Sequence, residues 1–212
     1  MLAALTQAVV KMRVLLEPMG PFAIGVTEER HRGPHPRGQC AFRVRVQFPW
    51  IRNPDCSLKV EVSAEEPLLA GSVDRALIHE FPGEALVAEI PCYRPEEIAV
   101  EKLRALLQSR QHLSERGWLR NRPRDLFDLN YLWQQKDYRV DWAVVADLLP
   151  AKAKAYDVHY EGAESFLDEQ VLAGIQGDWQ GQLANFVVDT PSFEECKDSL
   201  RAILDEVFTR DS

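Results

Sequence analysis

Strict alternation of apolar and polar residues in two segments near the start of the chain constrains the fold most strongly. The segments are 42–48 and 58–63, with apolar side chains at Phe42, Val44, Val46, Phe48, Leu58, Val60 and Val62. Because successive side chains of a strand point to opposite faces, this period of two predicts two half-buried strands. Residues 53–55 (Asn-Pro-Asp) predict a turn between them, so we expect antiparallel pairing in a hairpin or meander.

Other segments show helical or loop patterns. A helix is predicted from Leu2 to Leu16, residues 30–38 are predicted to form a loop, and residues 85–90 a third strand. After Pro91 the pattern is helical, with helices predicted at 95–110, from Pro123, at 141–149, at 164–175 and after a capping box at Ser192. Strands in the first half and helices in the second predict an α+β protein with a sheet domain at 1–90 and a helical domain at 91–212.

Charge is distributed unevenly along the chain. Lys11 and Arg13 interrupt the apolar N-terminal segment, so we expect an amphipathic helix in a cytoplasmic protein, with no membrane association. The net charge is −8, and a uniformly acidic surface would repel nucleic acid. Five arginines nevertheless lie in one short stretch, at Arg110, Arg116, Arg120, Arg122 and Arg124. We expect any phosphate contact to come from this stretch.

Lys59, Glu61 and Ser63 share the polar face of the second predicted strand. A carboxylate beside a lysine at this spacing can hold Mg²⁺ or accept a proton from an attacking hydroxyl group. The alternative is a solvent-facing strand surface with a salt bridge, which is common in antiparallel sheets. Considered without the rest of the sequence, this segment favours the second interpretation.

Two predicted helices carry further candidate residues. Lys102 flanks an apolar stripe, so it can reach a triphosphate or simply extend along the edge of the core. Arg122 and Arg124 lie at the start of the next helix, where the helix N-terminus can help them to bind phosphate. Asp125 and Asp128 share one face of that helix, where acidic residues also complement the helix dipole. Arg124 and Asp128 are four residues apart, a spacing that allows them to pair.

The order of these motifs resembles the AbiEii/AbiGii family of nucleotidyltransferase-like toxins. The shared pattern is K-x-E-x-S on a strand, Y-x-P-E-E at a helix start, E-K-x-x-A within that helix and then R-x-R-D-x-x-D-L. The matching residues are Lys59, Glu61, Ser63, Tyr93, Pro95, Glu96, Glu97, Glu101, Lys102, Ala105, Arg122, Arg124, Asp125, Asp128 and Leu129. Trp179 and Leu183 are similar to the helical tail of that family, so the resemblance covers most of the chain.

The resemblance implies a nucleotidyltransferase-like mixed sheet packed against a helical C-terminal part. It implies a toxin of a toxin–antitoxin or abortive-infection system, which transfers a nucleotide from an NTP to an RNA acceptor, with tRNA expected, and uses Mg²⁺. Glu61 would be an active-site carboxylate and metal ligand, and Asp125 would orient the groups around it. Contacts to nucleotide or RNA phosphate would come from Lys59, Ser63, Lys102, Arg122 and Arg124. The expected partner is a cognate winged-helix antitoxin.

One motif of that family is missing. The family has a Gly-Gly or Gly-Ser turn followed by a metal-binding Asp-x-Asp strand, and no Asp-x-Asp occurs in these 212 residues. Such aspartates hold the metal ions that offset charge on a transferring phosphoryl group. We therefore expect a core truncated at its N-terminus, in a chain that is inactive alone or acts only as a nucleotide-, RNA- or antitoxin-binding module. An incomplete core also exposes a sheet edge, which favours a homodimer or a covering partner.

Overall fold

A computed structural model describes residues 1–29, 39–52, 56–63, 65–78, 88–136 and 139–209. The chain is an α+β protein that divides into two compact units, Met1–Glu66 and Pro67–Ser212. This division falls earlier in the chain than the predicted domain boundary after residue 90. Within the described ranges, no helix is long and apolar enough to cross a membrane.

The first unit is a three-stranded antiparallel sheet with one helix packed beside it. Its elements are helix α1 (Leu2–Leu16), a 3-10 turn (Glu17–Met19) and strands β1 (Ala23–Glu29), β2 (Cys40–Gln47) and β3 (Cys56–Val62). The strand order is β1–β2–β3, and α1 packs against β1. The predicted first helix and both alternating strands are confirmed, whereas β1 was not predicted. The predicted loop at 30–38 and turn at 53–55 lie outside the described residues.

The second unit is mainly helical. Its elements are strands β4 (Ser72–Ala76) and β5 (Glu89–Tyr93), helices α2 (Pro95–Arg116), α3 (Pro123–Gln134), α4 (Trp142–Ala155), α5 (Glu169–Leu183) and α6 (Phe193–Phe208), and a 3-10 turn (Ala163–Phe166). Strands β4 and β5 pair antiparallel. Only the end of the predicted strand 85–90 can be compared, since residues 85–87 lie outside the described part; β5 extends beyond it to Tyr93.

The ends of the helices follow from their sequences. Pro95 occupies the first turn of α2, where its missing N–H has no cost, and Gly117 ends the helix with a φ of 61°, in the left-handed region that glycine tolerates. The predicted capping box at Ser192 is formed with Glu195 at the start of α6. Helix α4 continues through Pro150 to Ala155, past the predicted end at residue 149.

One apolar core holds the helices of the second unit together. Helix α2 packs against α3 and α4, and α3 packs in turn against α5 and α6. The fully buried side chains at these contacts include Leu103, Leu107, Leu126, Leu129, Leu149, Ile175, Leu200 and Ile203. Tight packing here fixes the facing surfaces of α2 and α3, which carry Lys102 and Asp125.

Candidate functional site

Lys102 on α2 is bound by two carboxylates of α3. Its Nζ lies 2.8 Å from Asp125 Oδ1 and 2.7 Å from Asp128 Oδ2. Asp125 and Asp128 reach the same ammonium group because residues three apart share one face of a helix. The predicted shared face of these two aspartates is therefore confirmed, and Lys102 joins the helices by charge as well as by packing.

The two aspartates also affect the protonation of Lys102. Burial of the ammonium group lowers the pKa of Lys102, but hydrogen bonds and charge interactions with Asp125 and Asp128 outweigh it, so the pKa lies above its ordinary value of 10.5. Lys102 is therefore positively charged at neutral pH. Its raised pKa contributes stability to the folded state; this contribution is complete below the pKa of the unfolded chain and disappears as the pH rises through the pKa of the folded chain.

Arg122 is held in place on the same carboxylate. Its Nη1 donates to Asp125 Oδ2 at 2.9 Å, and its Nε donates to the Ser109 hydroxyl at 3.1 Å. Ser109 is buried on α2, and its hydroxyl lies 3.0 Å from the carbonyl oxygen of Arg120. Asp125 thus connects Lys102 to Arg122, while Ser109 fixes the other side of the guanidinium group.

Arg120 and Arg124 are more exposed than Arg122. The guanidinium carbon of Arg124 lies 4.1 Å from the centroid of the Phe186 ring. Within the described residues, neither Arg120 nor Arg124 forms an ion pair. The Arg124–Asp128 pair that the spacing allows is not among the ion pairs of the described residues, where Asp128 pairs with Lys102. Arg120 and Arg124 keep their positive charges available to a ligand.

A pocket of about 490 Å³ brings these arginines together. Its lining includes Trp118, Arg120, Asn121, Arg122, Arg124, Asp125, Asp178 and Gln182. Asp178 on α5 accepts hydrogen bonds from Asn121 Nδ2 and Gln182 Nε2, both at 2.9 Å. The bond from Asn121 fixes the connection between α2 and α3 against α5, and the bond from Gln182 holds the Asp178 carboxylate within α5. Three guanidinium groups and an exposed indole on one pocket can bind a ligand that has both phosphate groups and aromatic rings.

Sequence reasoning did not identify Ser109, Asn121 or Asp178. Ser109 is seven residues after Lys102, which puts both on the same face of α2, and this spacing was a usable signal. Asn121 and Asp178 are 57 residues apart, so no local pattern could join them.

A second charged cluster lies on another part of α2 and is almost fully buried. Lys152 Nζ is 2.7 Å from Glu97 Oε1 and 2.9 Å from the carbonyl oxygen of Pro67. The other Glu97 oxygen accepts from the backbone N–H groups of Leu69 and Ala70, at 2.9 and 2.7 Å. These groups satisfy one another's hydrogen bonds, and the side chains of Lys152 and Glu97 are only 1% and 3% exposed. The cluster attaches residues 67–70 to the helices, so its role is structural.

Lys59 and Glu61 form a salt bridge of 2.6 Å on β3, and both side chains are nearly half exposed. Ser63 follows the end of the strand. The predicted common face of Lys59 and Glu61 is therefore confirmed. These residues belong to the first unit and Lys102, Arg122, Arg124 and Asp125 to the second.

The described carboxylates do not make a two-metal site by themselves. No group of three or more His, Cys, Asp or Glu side chains in the described ranges could hold a metal ion. Glu61 is paired with Lys59, and Asp125 and Asp128 are both paired with Lys102. Because each carboxylate already neutralises a cation, we assign no chemical step to Mg²⁺ at these residues.

A family model for nucleotidyl transferase toxins of type IV toxin–antitoxin systems matches residues 17–206. The match covers both the strand carrying Glu61 and the helices carrying the arginine pocket. The family is AbiEii, and the chain belongs to it. The family resemblance drawn from the sequence is thereby confirmed, and membership of a toxin–antitoxin system implies an antitoxin partner. No curated protein matches the chain.

Proposed function

We propose that the chain serves nucleotidyl transfer from an NTP to an RNA acceptor, expected to be tRNA, and that its second unit binds phosphate groups. The observation that carries this proposal is the set of arginines at the start of α3. Asp125 and Ser109 fix Arg122, and Arg120 and Arg124 line the same pocket. Guanidinium groups bind phosphate oxygens through paired hydrogen bonds, so three of them suit a ligand with several phosphates.

The contacts divide the proposed roles among these residues. Lys102 already forms salt bridges with two carboxylates. We therefore propose that it positions α3 and Asp125 and does not bind phosphate itself. Direct phosphate contacts are assigned to Arg120, Arg122 and Arg124. Trp118 is 54% exposed at the rim of the pocket, where it can stack on a base.

The remaining roles rest on the family. Glu61, with Lys59 and Ser63 beside it, keeps its proposed place as an active-site carboxylate, and it would serve as a ligand of Mg²⁺ only by giving up its salt bridge with Lys59. The proposed partner is a winged-helix antitoxin.

The substitution Arg124→Ala should weaken binding of an NTP or tRNA about tenfold, because a charge-assisted hydrogen bond to phosphate is lost. It should also reduce the slope of log K against log salt concentration by about one, as expected for one phosphate contact. Fluorescence titration of labelled tRNA and of labelled NTP at several salt concentrations measures both effects.

Arg201→Ala is the matched control for this measurement. Arg201 is exposed, as Arg124 is, and its replacement changes the net charge equally, but it pairs with Asp198 on α6 and lines a different pocket. Equal losses in both variants would show that net charge, and not the proposed pocket, governs binding. No binding of either ligand by the unmodified chain would overturn the proposal.

A second candidate function is binding without catalysis, which the absence of Asp-x-Asp and the paired state of Glu61 favour. The purified 212-residue chain should then transfer no label from any of the four NTPs to tRNA above a control without protein, even with Mg²⁺. The reason is that the charge of a transferring phosphoryl group requires firmly held metal ions.

Incubation with labelled NTPs, followed by separation of the RNA, measures this transfer. Robust Mg²⁺-dependent labelling that is lost in Glu61→Gln would establish the chain as a transferase and reject the second candidate. Binding of tRNA without labelling would support that candidate instead.

A further inference from the structure

Phe186 lies just beyond the end of α5 and contacts one of the arginines of the pocket. Its ring is 69% exposed, so packing in the core does not account for its position. The backbone that carries the ring is nevertheless fixed. The carbonyl oxygen of Leu183, which is 1% exposed, accepts hydrogen bonds from the backbone N–H groups of Phe186 and Val187, at 2.9 and 3.0 Å.

The other end of the segment between α5 and α6 is also tied to α5. The indole N–H of Trp179, which is buried on α5, donates to the carbonyl oxygen of Pro191 at 2.9 Å. Within the segment, the hydroxyl group of Thr190 donates to the carbonyl oxygen of Val187 at 3.1 Å. Hydrogen bonds at both ends therefore hold the Phe186 ring in a defined place, although the ring itself is at the surface.

The guanidinium carbon of Arg124 lies over the Phe186 ring, 4.1 Å from its centroid. Two carboxylates close to Arg124 in sequence or in the pocket are engaged by other donors: Asp128 is bound by Lys102, and Asp178 accepts two amide hydrogen bonds. Contact with the face of an aromatic ring attracts a guanidinium group without neutralising its charge. The ring can therefore restrain Arg124 and leave its N–H donors to a ligand.

We propose that Phe186 is a positioning residue, which holds the guanidinium group of Arg124 at the pocket in an orientation that binds phosphate. An arginine side chain loses rotational freedom when it binds a ligand, and a ring that restricts the side chain beforehand reduces this loss. A carboxylate in place of the ring would also restrain Arg124, but it would compete with phosphate for the guanidinium group. The inference rests on the proposed function for its ligand, whereas the restraint on Arg124 is measurable without one.

The restraint is tested first in the protein without ligand. The side-chain Hδ and Hε resonances of Arg124, assigned by their loss in Arg124→Lys, should be shifted upfield by the ring current of Phe186. The shift should persist in Phe186→Tyr and disappear in Phe186→Leu. Tyr131→Leu removes another exposed ring of the same unit and should leave these resonances unchanged. Arg124 resonances that do not move in Phe186→Leu would overturn the proposal, whether or not a ligand binds.

A double-mutant cycle with labelled tRNA tests the consequence for binding. Phe186→Leu should raise the dissociation constant about two- to fivefold, the equivalent of an exposed cation–π contact, and Phe186→Tyr should keep it close to that of the unmodified chain. In the Arg124→Ala background, Phe186→Leu should have no further effect, because the ring acts through Arg124. An equal loss in both backgrounds would show that Phe186 contacts RNA directly, and no loss in either would show that the restraint is irrelevant; both results would overturn the proposal.

Folding and ligand binding are controlled separately. Since Phe186 is exposed, its variants should unfold at the same urea concentration as the unmodified chain, which excludes a loss of folding as the cause of weaker binding. If the unmodified chain binds no tRNA, the function proposed above fails. The resonances of Arg124 then decide by themselves whether Phe186 positions this arginine.

Discussion

The substitution Lys152→Met should destabilise the second unit by about 3–5 kcal/mol, the range found when one member of a buried ion pair is removed. Glu97 would keep a buried negative charge without its closest partner, and the Pro67 carbonyl oxygen would lose its donor. Urea unfolding followed by tryptophan fluorescence measures the change. Four of the five tryptophans, Trp118, Trp133, Trp142 and Trp179, lie in the second unit, so the signal reports mainly on it.

Lys154→Met provides the control, since Lys154 is on the same helix but exposed, and its loss should change stability by less than about 0.5 kcal/mol. A double variant, Lys152→Met/Glu97→Gln, should recover part of the loss because no unpaired charge is then buried at Glu97. If Lys152→Met and Lys154→Met unfold at the same urea concentration, the cluster is not a major source of stability.

The second large effect is expected at Gly174 in α5. Replacing a helical glycine by alanine normally stabilises a helix by about 0.5–1 kcal/mol. At Gly174, however, a Cβ atom would overlap with Leu119 Cδ2 and Asn121 Oδ1. Because Asn121 is tied to Asp178, its side chain could make room only by giving up that hydrogen bond. We therefore expect Gly174→Ala to destabilise the unit by about 1–3 kcal/mol, the usual cost of overpacking.

Two other glycines of α5 serve as matched controls. A Cβ atom at Gly177 or Gly181 would meet no heavy atom within 4 Å, so alanine there should stabilise the unit by the ordinary helix increment. Urea midpoints of the three variants test the difference in sign. Gly174→Ala should also weaken binding of labelled tRNA, because Arg120 and Arg122 flank Asn121. A Gly174→Ala variant as stable as Gly177→Ala would show that the packing around Asn121 is looser than described.

Local sequence signals were sufficient for much of this fold. The prolines at 95 and 123 and the capping box at Ser192 marked helix starts correctly, and strict alternation located β2 and β3. Strand β1 was missed because only Ile24 and Val26, on either side of Gly25, give it apolar alternation. Its assignment depends on pairing with β2, where Ile24 lies opposite Val46. The end of α4 was placed too early because Pro150 ordinarily interrupts a helix.

The candidate site was predictable where its parts are near in sequence. Asp125 and Asp128 could be placed on one helix face, and Lys102 beside an apolar stripe, from spacing alone. Their shared salt bridge could not, because it depends on how α2 packs against α3. The burial of Lys152 could not be predicted from the sequence either, because a lysine is ordinarily expected to face solvent. Pairing between distant segments, and not local preference, determines these contacts.

The connection between α2 and α3 has both ends fixed. Gly117 ends α2 with a left-handed turn, and Arg122 is bound on both sides of its guanidinium group where α3 begins. The connection therefore acts as a spacer of set length between the exposed indole of Trp118 and the arginines that follow. Inserting or deleting one residue here would leave both helices intact while shifting the ring relative to the positive charges. Members of the family that differ in the length of this spacer should therefore differ in the ligands that they bind, even where every arginine is retained.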